Sequence, residues 1–356
     1  MIKKITFSLK LSLLIILPIR SEEDINTDLA LSYFMQGEFL MSQGNYALAI
    51  LEFQEAIAID PNASTIHVAI ADGYIKVGKL KRSETHLKIA IELDPDETEG
   101  LDMLGQIYFS QKRHSDAQQI YKRLHTTDPD NLDYIFILAD LHRIQKNWDS
   151  SIDYYMLAYN VNTLAIKGLE QALQIALSTN KLKRAEEICE LMHDDAPDNL
   201  DILNTYKDLT LYNKNYKKSL DLLEKIEKQT GVTNELLLQK SALYEELNQK
   251  ELALEVVLMA HENDSLNIDI LHRIVSVLMD QNQNEEAIKY NYKITKNHPN
   301  DPRGFINNAV MAMSSKKPDQ AIQALQPHVS KFFSDFTIQY LLGTAYYQTK
   351  DFDNAE

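Results

Sequence analysis

Residues 46–62 read YALAILEFQEAIAIDPN, and nearly the same ending returns as KIAIELDPDE at 88–97 and as TTDPDN at 126–131. The prolines of these endings, Pro61, Pro95 and Pro129, follow one another at intervals of 34 residues. A fixed period of that size marks a chain built from one recurring supersecondary unit. Windows cut from Ala30 start at 30, 64, 98, 132, 166, 200, 234, 268, 302 and 336, with no insertion or deletion. Place twenty of the windows holds Ala49, Ser83, Ala117, Ser151, Ala185, Ser219, Ala253, Ala287, Ala321 and Ala355, all of them small. Place eight holds Gly37, Ala71, Gly105, Ala139, Leu173, Lys207, Ser241, Val275, Ala309 and Gly343, small in most windows. Two small columns twelve residues apart predict a pair of helices whose backbones approach closely where they cross, since larger side chains would push the axes apart.

Helical spacing supports the pair. Ala49, Phe53, Ala56 and Ile57 fall on one stripe at i, i+4, i+7 and i+8. The breaks SQGN at 42–45, KVGK at 76–79 and TNK at 179–181 carry the Gly or Asn that ends a helix in a left-handed residue. Pro61, Pro95, Pro129, Pro197 and Pro299 stop the second helix, because proline has no N–H to continue it. Thr163, Gly231, Ser265 and Phe333 occupy that slot in the remaining complete windows and predict softer stops.

These residues resemble the tetratricopeptide repeat: Gly or Ala at place eight, an aromatic near place eleven (Tyr74, Tyr108, Tyr244, Tyr346), Ala at place twenty, an aromatic at place twenty-four (Phe53, Tyr121, Tyr155) and Pro near the end. The resemblance covers 30–356 as about nine and a half windows, the last of them cut short at Glu356. It implies an all-α, right-handed superhelical solenoid of stacked helix-turn-helix hairpins, with first helices lining a concave groove. Physically, each hairpin leaves an apolar face that only a neighbour covers. The family's usual first-helix Trp is absent, and the single Trp148 falls at a mid-window turn, where we expect it to pack between repeats.

Composition limits the function. The chain has 44% hydrophobic and 25% charged residues, a globular balance, and a net charge of −16. Nucleic acid is disfavoured as a partner, because phosphate binding needs clustered Lys and Arg. One cysteine, Cys189, excludes an internal disulfide. At the N-terminus, MIKKITFSLKLSLLIILPIRSEED sets lysines before a short apolar run and acidic residues after it. That order predicts a signal peptide, or alternatively an N-terminal anchor, over 1–21, followed by a short linker over 22–29. Export to the periplasm or another extracytoplasmic space follows from it.

No glycine-rich phosphate loop, HExxH, paired CxxC or Gly-x-Ser-x-Gly occurs. We expect no catalytic residue, no cofactor and no metal. The cluster His193, Asp194, Asp195 and Asp198 reads as a solvated turn, and Cys189 as a buried apolar residue at place twenty-four. The first helices offer more. Places two, five, nine and twelve share one face, and the resemblance puts that face in the groove. It carries Glu38, Asp72, Glu99, Asp102, Asp133, Asp140, Glu170, Asp201, Asp208, Glu235, Glu245 and Asp269, against Arg143, Lys167, Arg303 and His272. Such a face attracts basic or polar protein segments; it also serves simply as a solvated acidic surface. Apolar groove residues gather at the ends, Leu31, Phe34 and Met41 at one and Ile306, Val310, Met313, Tyr340 and Tyr347 at the other. Two family grooves do not match: Phe34, Glu38, Val68 and Asp72 stand where a clamp for a peptide carboxylate needs Lys and Asn, and place six carries no asparagine ladder. The expected function is a non-catalytic protein-interaction scaffold organising an envelope assembly. The alternative is the recruiting portion of a larger enzyme, such as a transferase, with its catalytic domain beyond residue 356.

Overall fold

The computed structural model describes residues 22–355, so the expected signal or anchor segment over 1–21 lies outside the described residues. The chain forms two compact units, divided after Gln171. The first contains four helix pairs: α1 (Glu22–Ser42) with α2 (Tyr46–Ile59), α3 (Ser64–Lys76) with α4 (Leu80–Leu93), α5 (Thr98–Ser110) with α6 (His114–Thr127), and α7 (Leu132–Ile144) with α8 (Trp148–Val161). The boundary falls within α9 (Ile166–Ser178). The second unit continues with α10 (Leu182–Asp195) and four more pairs: α11 (Leu200–Tyr212) with α12 (Tyr216–Thr230), α13 (Asn234–Glu246) with α14 (Lys250–Asn263), α15 (Ile268–Asp280) with α16 (Asn284–Asn297), and α17 (Arg303–Ser314) with α18 (Pro318–Leu325). It ends on α19 (Phe336–Thr349). No strand occurs among the described residues. In each unit a first helix packs on its own second helix, and that helix on the next first helix. Residues 22–29, expected as a linker, are instead the opening turns of α1.

The turn inside each window repeats with one geometry. A residue of positive φ recurs at Gly44, Gly78, Lys112, Lys146, Asn180, Lys214, Asn248, Asn282, Lys316 and Lys350. Its N–H reaches the carbonyl three residues back and the next N–H reaches five back, as in Gly44 to Met41 (3.0 Å) and Asn45 to Leu40 (2.9 Å), or Lys112 to Phe109 (3.0 Å) and Arg113 to Tyr108 (2.9 Å). These two bonds satisfy the last carbonyls of the first helix. They offset the roughly 1–2 kcal/mol that a left-handed backbone costs a residue with a Cβ, so lysine is tolerated at Lys112, Lys146, Lys214, Lys316 and Lys350.

Place eight clears space for a ring from the partner helix. A Cβ on Gly37 would lie 2.3 Å from the Phe53 ring, and one on Gly105 would lie 2.8 Å from the Tyr121 ring. Phe53, Leu87, Tyr121, Tyr155, Cys189, Leu223, Val257, Asn291 and Leu325, all at place twenty-four, are buried. Asn291 is the polar exception, and its amide is satisfied by Gly304 O (2.7 Å), Asn308 (2.7 Å) and Asn307 (3.0 Å). Where places eight or twenty hold serine, the hydroxyl bridges the two helices: Ser151 Oγ donates to Ala139 O at 2.9 Å, Ser219 Oγ to Lys207 O at 3.1 Å and Ser241 Oγ to Ala253 O at 2.9 Å. Ser83 Oγ is buried without a hydrogen-bond partner. Of the four softer stops expected, only the one at Gly231, φ 84°, lets its helix run a residue longer, to Thr230; α8 and α14 end at Val161 and Asn263, the same place as the proline-stopped helices. In the ninth window Pro327 breaks the second helix early, so α18 gives way to a short 3-10 turn at Gln326–His328.

Two stability outcomes follow. Gly105→Val crowds the Tyr121 ring and lowers the unfolding free energy in urea by about 2–3 kcal/mol; adding Tyr121→Ala recovers part of that loss, and strict additivity of the two changes would refute the contact. Ser151→Ala costs about 1 kcal/mol, whereas Ser83→Ala removes an unpaired buried hydroxyl and is neutral or stabilising. Equal losses for both serines would contradict this assignment.

Candidate functional site

Helix starts account for part of the acidic face. Asn131, Asn199 and Asn267 cap α7, α11 and α15 by accepting the N–H groups two and three residues on. The residues two places after them, Asp133, Asp201 and Asp269, occupy the first turns, as Glu99 does in α5 and Glu235 in α13. A carboxylate there is stabilised by the positive end of the helix dipole, so this column serves the fold whatever else it does.

In the first unit the face of α1, α3 and α5 closes into a groove of 340 Å³. Glu38, Asp72, Glu97 and Glu99 wall it, and Phe34, Met41, Val68, Ala69 and Met103 form its apolar lining. Burial, then the negative charges of Asp72 and Glu99, raise the Glu38 carboxyl above its ordinary value. Lys76, half exposed, lies 3.8 Å from Asp72. Further along, the carboxylates are engaged. Asp102 accepts from Tyr121 Oη (3.2 Å) and Gln106 Nε2 (3.0 Å). Asp140 accepts from Tyr155 Oη and Arg143 Nη2, both at 2.7 Å. Burial, with Asp102 beside it, lifts the Tyr121 hydroxyl well above the tyrosine range, and burial with Asp140 pushes Tyr155 up to about 12. Asp102 and Asp140 thus satisfy phenols that the core buries. Glu170 is exposed on the opening half of α9.

The second unit treats its carboxylates differently. Asp269 pairs with Arg303 at 2.6 Å, and Arg303 also forks onto Asp301 with two contacts of 3.0 Å. Glu245 pairs with Arg273, whose Nε donates to Ser241 Oγ at 3.1 Å. Asp208 lies 3.1 Å from Lys207, which also donates to Gln239 at 3.3 Å. Glu235 accepts from Gln239 at 3.4 Å, and Asp201 stays exposed. Burial raises the Glu245 carboxyl even though Arg273 stands beside it. Two clefts, of 460 and 500 Å³, share Gln239, Ala242 and Arg273, so cations line this face among the acids. Arg273 at place six and Lys207 at place eight were absent from the expected groove set. The clue in the sequence was a lysine standing in a column of small residues.

The other candidates resolve simply. Cys189 is 1% exposed, and burial pushes its thiol up to about 12, the state of a core residue. His193 is not in a solvated turn: it is buried on the last turn of α10, where Nε2 meets Lys225 Nζ at 2.6 Å. Trp148 is half-buried at the start of α8. Among the described residues no group of His, Cys, Asp and Glu has metal-binding geometry, and no helix is long and apolar enough to cross a membrane. Of the end residues, Phe34 packs on Phe53 with ring centroids 5.7 Å apart, while Tyr340 and Tyr347 are exposed.

Comparison with known proteins agrees with the period. Two family models, both described as tetratricopeptide repeat, match residues 40–107 and 99–131. Residues 40–131 belong to the tetratricopeptide repeat family. Its curated relatives include the mouse (Mus musculus) Tetratricopeptide repeat protein 21A, 24% identical over 149 residues, covering 41% of this chain and 11% of that protein. Hsp70-Hsp90 organizing protein 3 of Arabidopsis thaliana is 30% identical over 100 residues, covering 28% of this chain and 18% of that protein. The chain therefore spans less than a fifth of the length of these two relatives. Among solved structures, MamA 41-end from Desulfovibrio magneticus RS-1 is 15% identical with a TM-score of 0.40, covering 48% of this chain and 98% of that one.

Within the tetratricopeptide windows the half-buried Glu245–Arg273 pair joins α13 to α15. Arg273→Ala leaves Glu245 without its counter-charge and destabilises by about 2–3 kcal/mol in urea titrations, whereas the double change Arg273→Met, Glu245→Leu recovers most of the loss. No recovery in the double variant would show that the arginine acts through contacts other than this pair.

Proposed function

We propose that this chain is a non-catalytic interaction scaffold that takes basic or polar segments of partner proteins along the acidic face of its first unit. One observation carries the reading. Glu38, Asp72 and Glu99 come together over an apolar lining, where burial, then the charges of Asp72 and Glu99, raise Glu38. A lysine or arginine side chain entering there lays its methylene stem on Met41, Val68 and Met103 and brings its cation to the carboxylates. The second unit, where Asp208, Glu245 and Asp269 are paired with Lys207, Arg273 and Arg303, contributes less attraction. The Arabidopsis relative, named as an organizing protein for Hsp70 and Hsp90, is consistent with a scaffold. Export to an extracytoplasmic assembly belongs to the same proposal and rests on the lysines and apolar run of residues 1–21.

Titration of lysine-rich and glutamate-rich peptides at low and high salt tests the groove. The basic peptide binds at least about tenfold tighter at low salt and the gap narrows as salt rises. The triple change Glu38→Gln, Asp72→Asn, Glu99→Gln removes most of that preference, while Asp201→Asn leaves it. Equal binding of both peptides would sink the electrostatic reading. Fusion of residues 1–29 to a reporter active only outside the cytoplasm tests export, and an inactive reporter counts against it.

A further inference from the structure

His67 on α3 and His86 on α4 meet across the second helix pair with their Nδ1 atoms 3.0 Å apart and their ring centroids 5.3 Å apart. At that separation a single proton lies between the two nitrogens, one ring donating and the other accepting. A proton on both Nδ1 atoms sets two N–H bonds head-on. The surroundings supply no anion to relieve this. From α2 the neutral amide of Gln54 reaches only the Tyr74 hydroxyl, at 3.2 Å. From the turn before α3 comes the Pro61 carbonyl, which favours a proton on His67. On α3 the Tyr74 ring lies 5.7 Å from His86, and on α4 the Arg82 guanidinium sits 5.7 Å from that same ring, one helical turn before His86. Among the described residues no carboxylate of α1, α2 or α5 pairs with either imidazole. A second proton therefore finds no anion beside it.

We propose that the His67–His86 contact is an acid-sensitive latch on the α3–α4 pair, and that its opening below neutral pH releases segments held in the groove that α3 helps to wall. The second clause rests on the function proposed above. The link is direct, since α3 carries Thr65, Val68, Ala69 and Asp72 of the groove and His67 adjoins Val68 in the chain. Burial lowers both rings from the ordinary histidine value of 6.5, and the neighbouring His67 lowers His86 further. Both folded values lie below the unfolded one, so the unfolded chain takes up protons first. The stability this pair contributes is complete above about 6.5 and is lost as pH falls from there through the lowered folded values.

Hydrogen exchange on the full chain at about pH 7.5 and about pH 5.5, corrected for intrinsic rates, tests the latch. Amides of α3 and α4 lose about tenfold more protection at the lower pH than those of α5 and α6, the neighbouring pair, which has no such histidine contact. His86→Asn keeps a hydrogen-bonding group near the Nδ1 position without a titrating ring, and abolishes this difference. Unchanged relative protection in the native chain, or an undiminished difference in the variant, overturns the latch. Should the variant fail to fold, ring-proton titration of the native chain decides: the two histidines titrate as a coupled pair below the ordinary range, and independent titration near 6.5 overturns the proposal. For release, an oligolysine peptide loses about tenfold more affinity between the two pH values with the native chain than with His86→Asn; Glu38 titrates alike in both, so an equal loss overturns the release. Absence of oligolysine binding at either pH overturns the proposed function, while exchange alone still decides the latch.

Discussion

The architecture depends on how closely the two helices of each pair approach. Gly37 and Gly105 lie so near the rings of Phe53 and Tyr121 that neither position has room for a methyl group. Close packing of this kind accounts for a large share of the dispersion and burial that hold a hairpin together. It also explains why place twenty is Ala or Ser without exception. A pair built this way still leaves one apolar side open, and the next pair closes it. Each unit is therefore a chain of mutual dependencies between neighbours.

The same constraint decides where charge is tolerated. Second helices and the inner sides of first helices are committed to packing, so polarity varies chiefly on the face at places two, five, six, nine and twelve. In the first unit this face keeps Glu38, Asp72 and Glu99 together with little compensation. In the second, Arg273 and Arg303 return positive charge to it. One fold thus presents two electrostatic characters along a single chain, and the difference arises from a few residues at variable places.

Much of this was legible beforehand. The windows, the small columns, the left-handed Gly44, Gly78 and Asn180 and the buried Cys189 follow from spacing and residue type alone. The lysines of the same turn were not legible, because their left-handed backbone is held by two hydrogen bonds that propensity does not register. The segment 22–29 read as a linker for its polarity, yet helical hydrogen bonding carries it into α1. Nor did the one-dimensional pattern separate carboxylates that satisfy a buried phenol, such as Asp102 and Asp140, from Glu38, Asp72 and Glu99, which crowd one groove.

By itself the sequence determined the period, the helical class, the close approach of paired helices and the set of faces on which side chains appear, because each depends on residue size and spacing at intervals of a few residues. Tertiary structure alone decided which charges are paired, that His67 and His86 meet with their Nδ1 atoms 3.0 Å apart, and that Glu38, Asp72 and Glu99 converge on one groove. Those outcomes join residues from different helices at distances of a few ångströms. A charge or a proton is stabilised by what lies beside it in space, and the linear pattern does not say what that is.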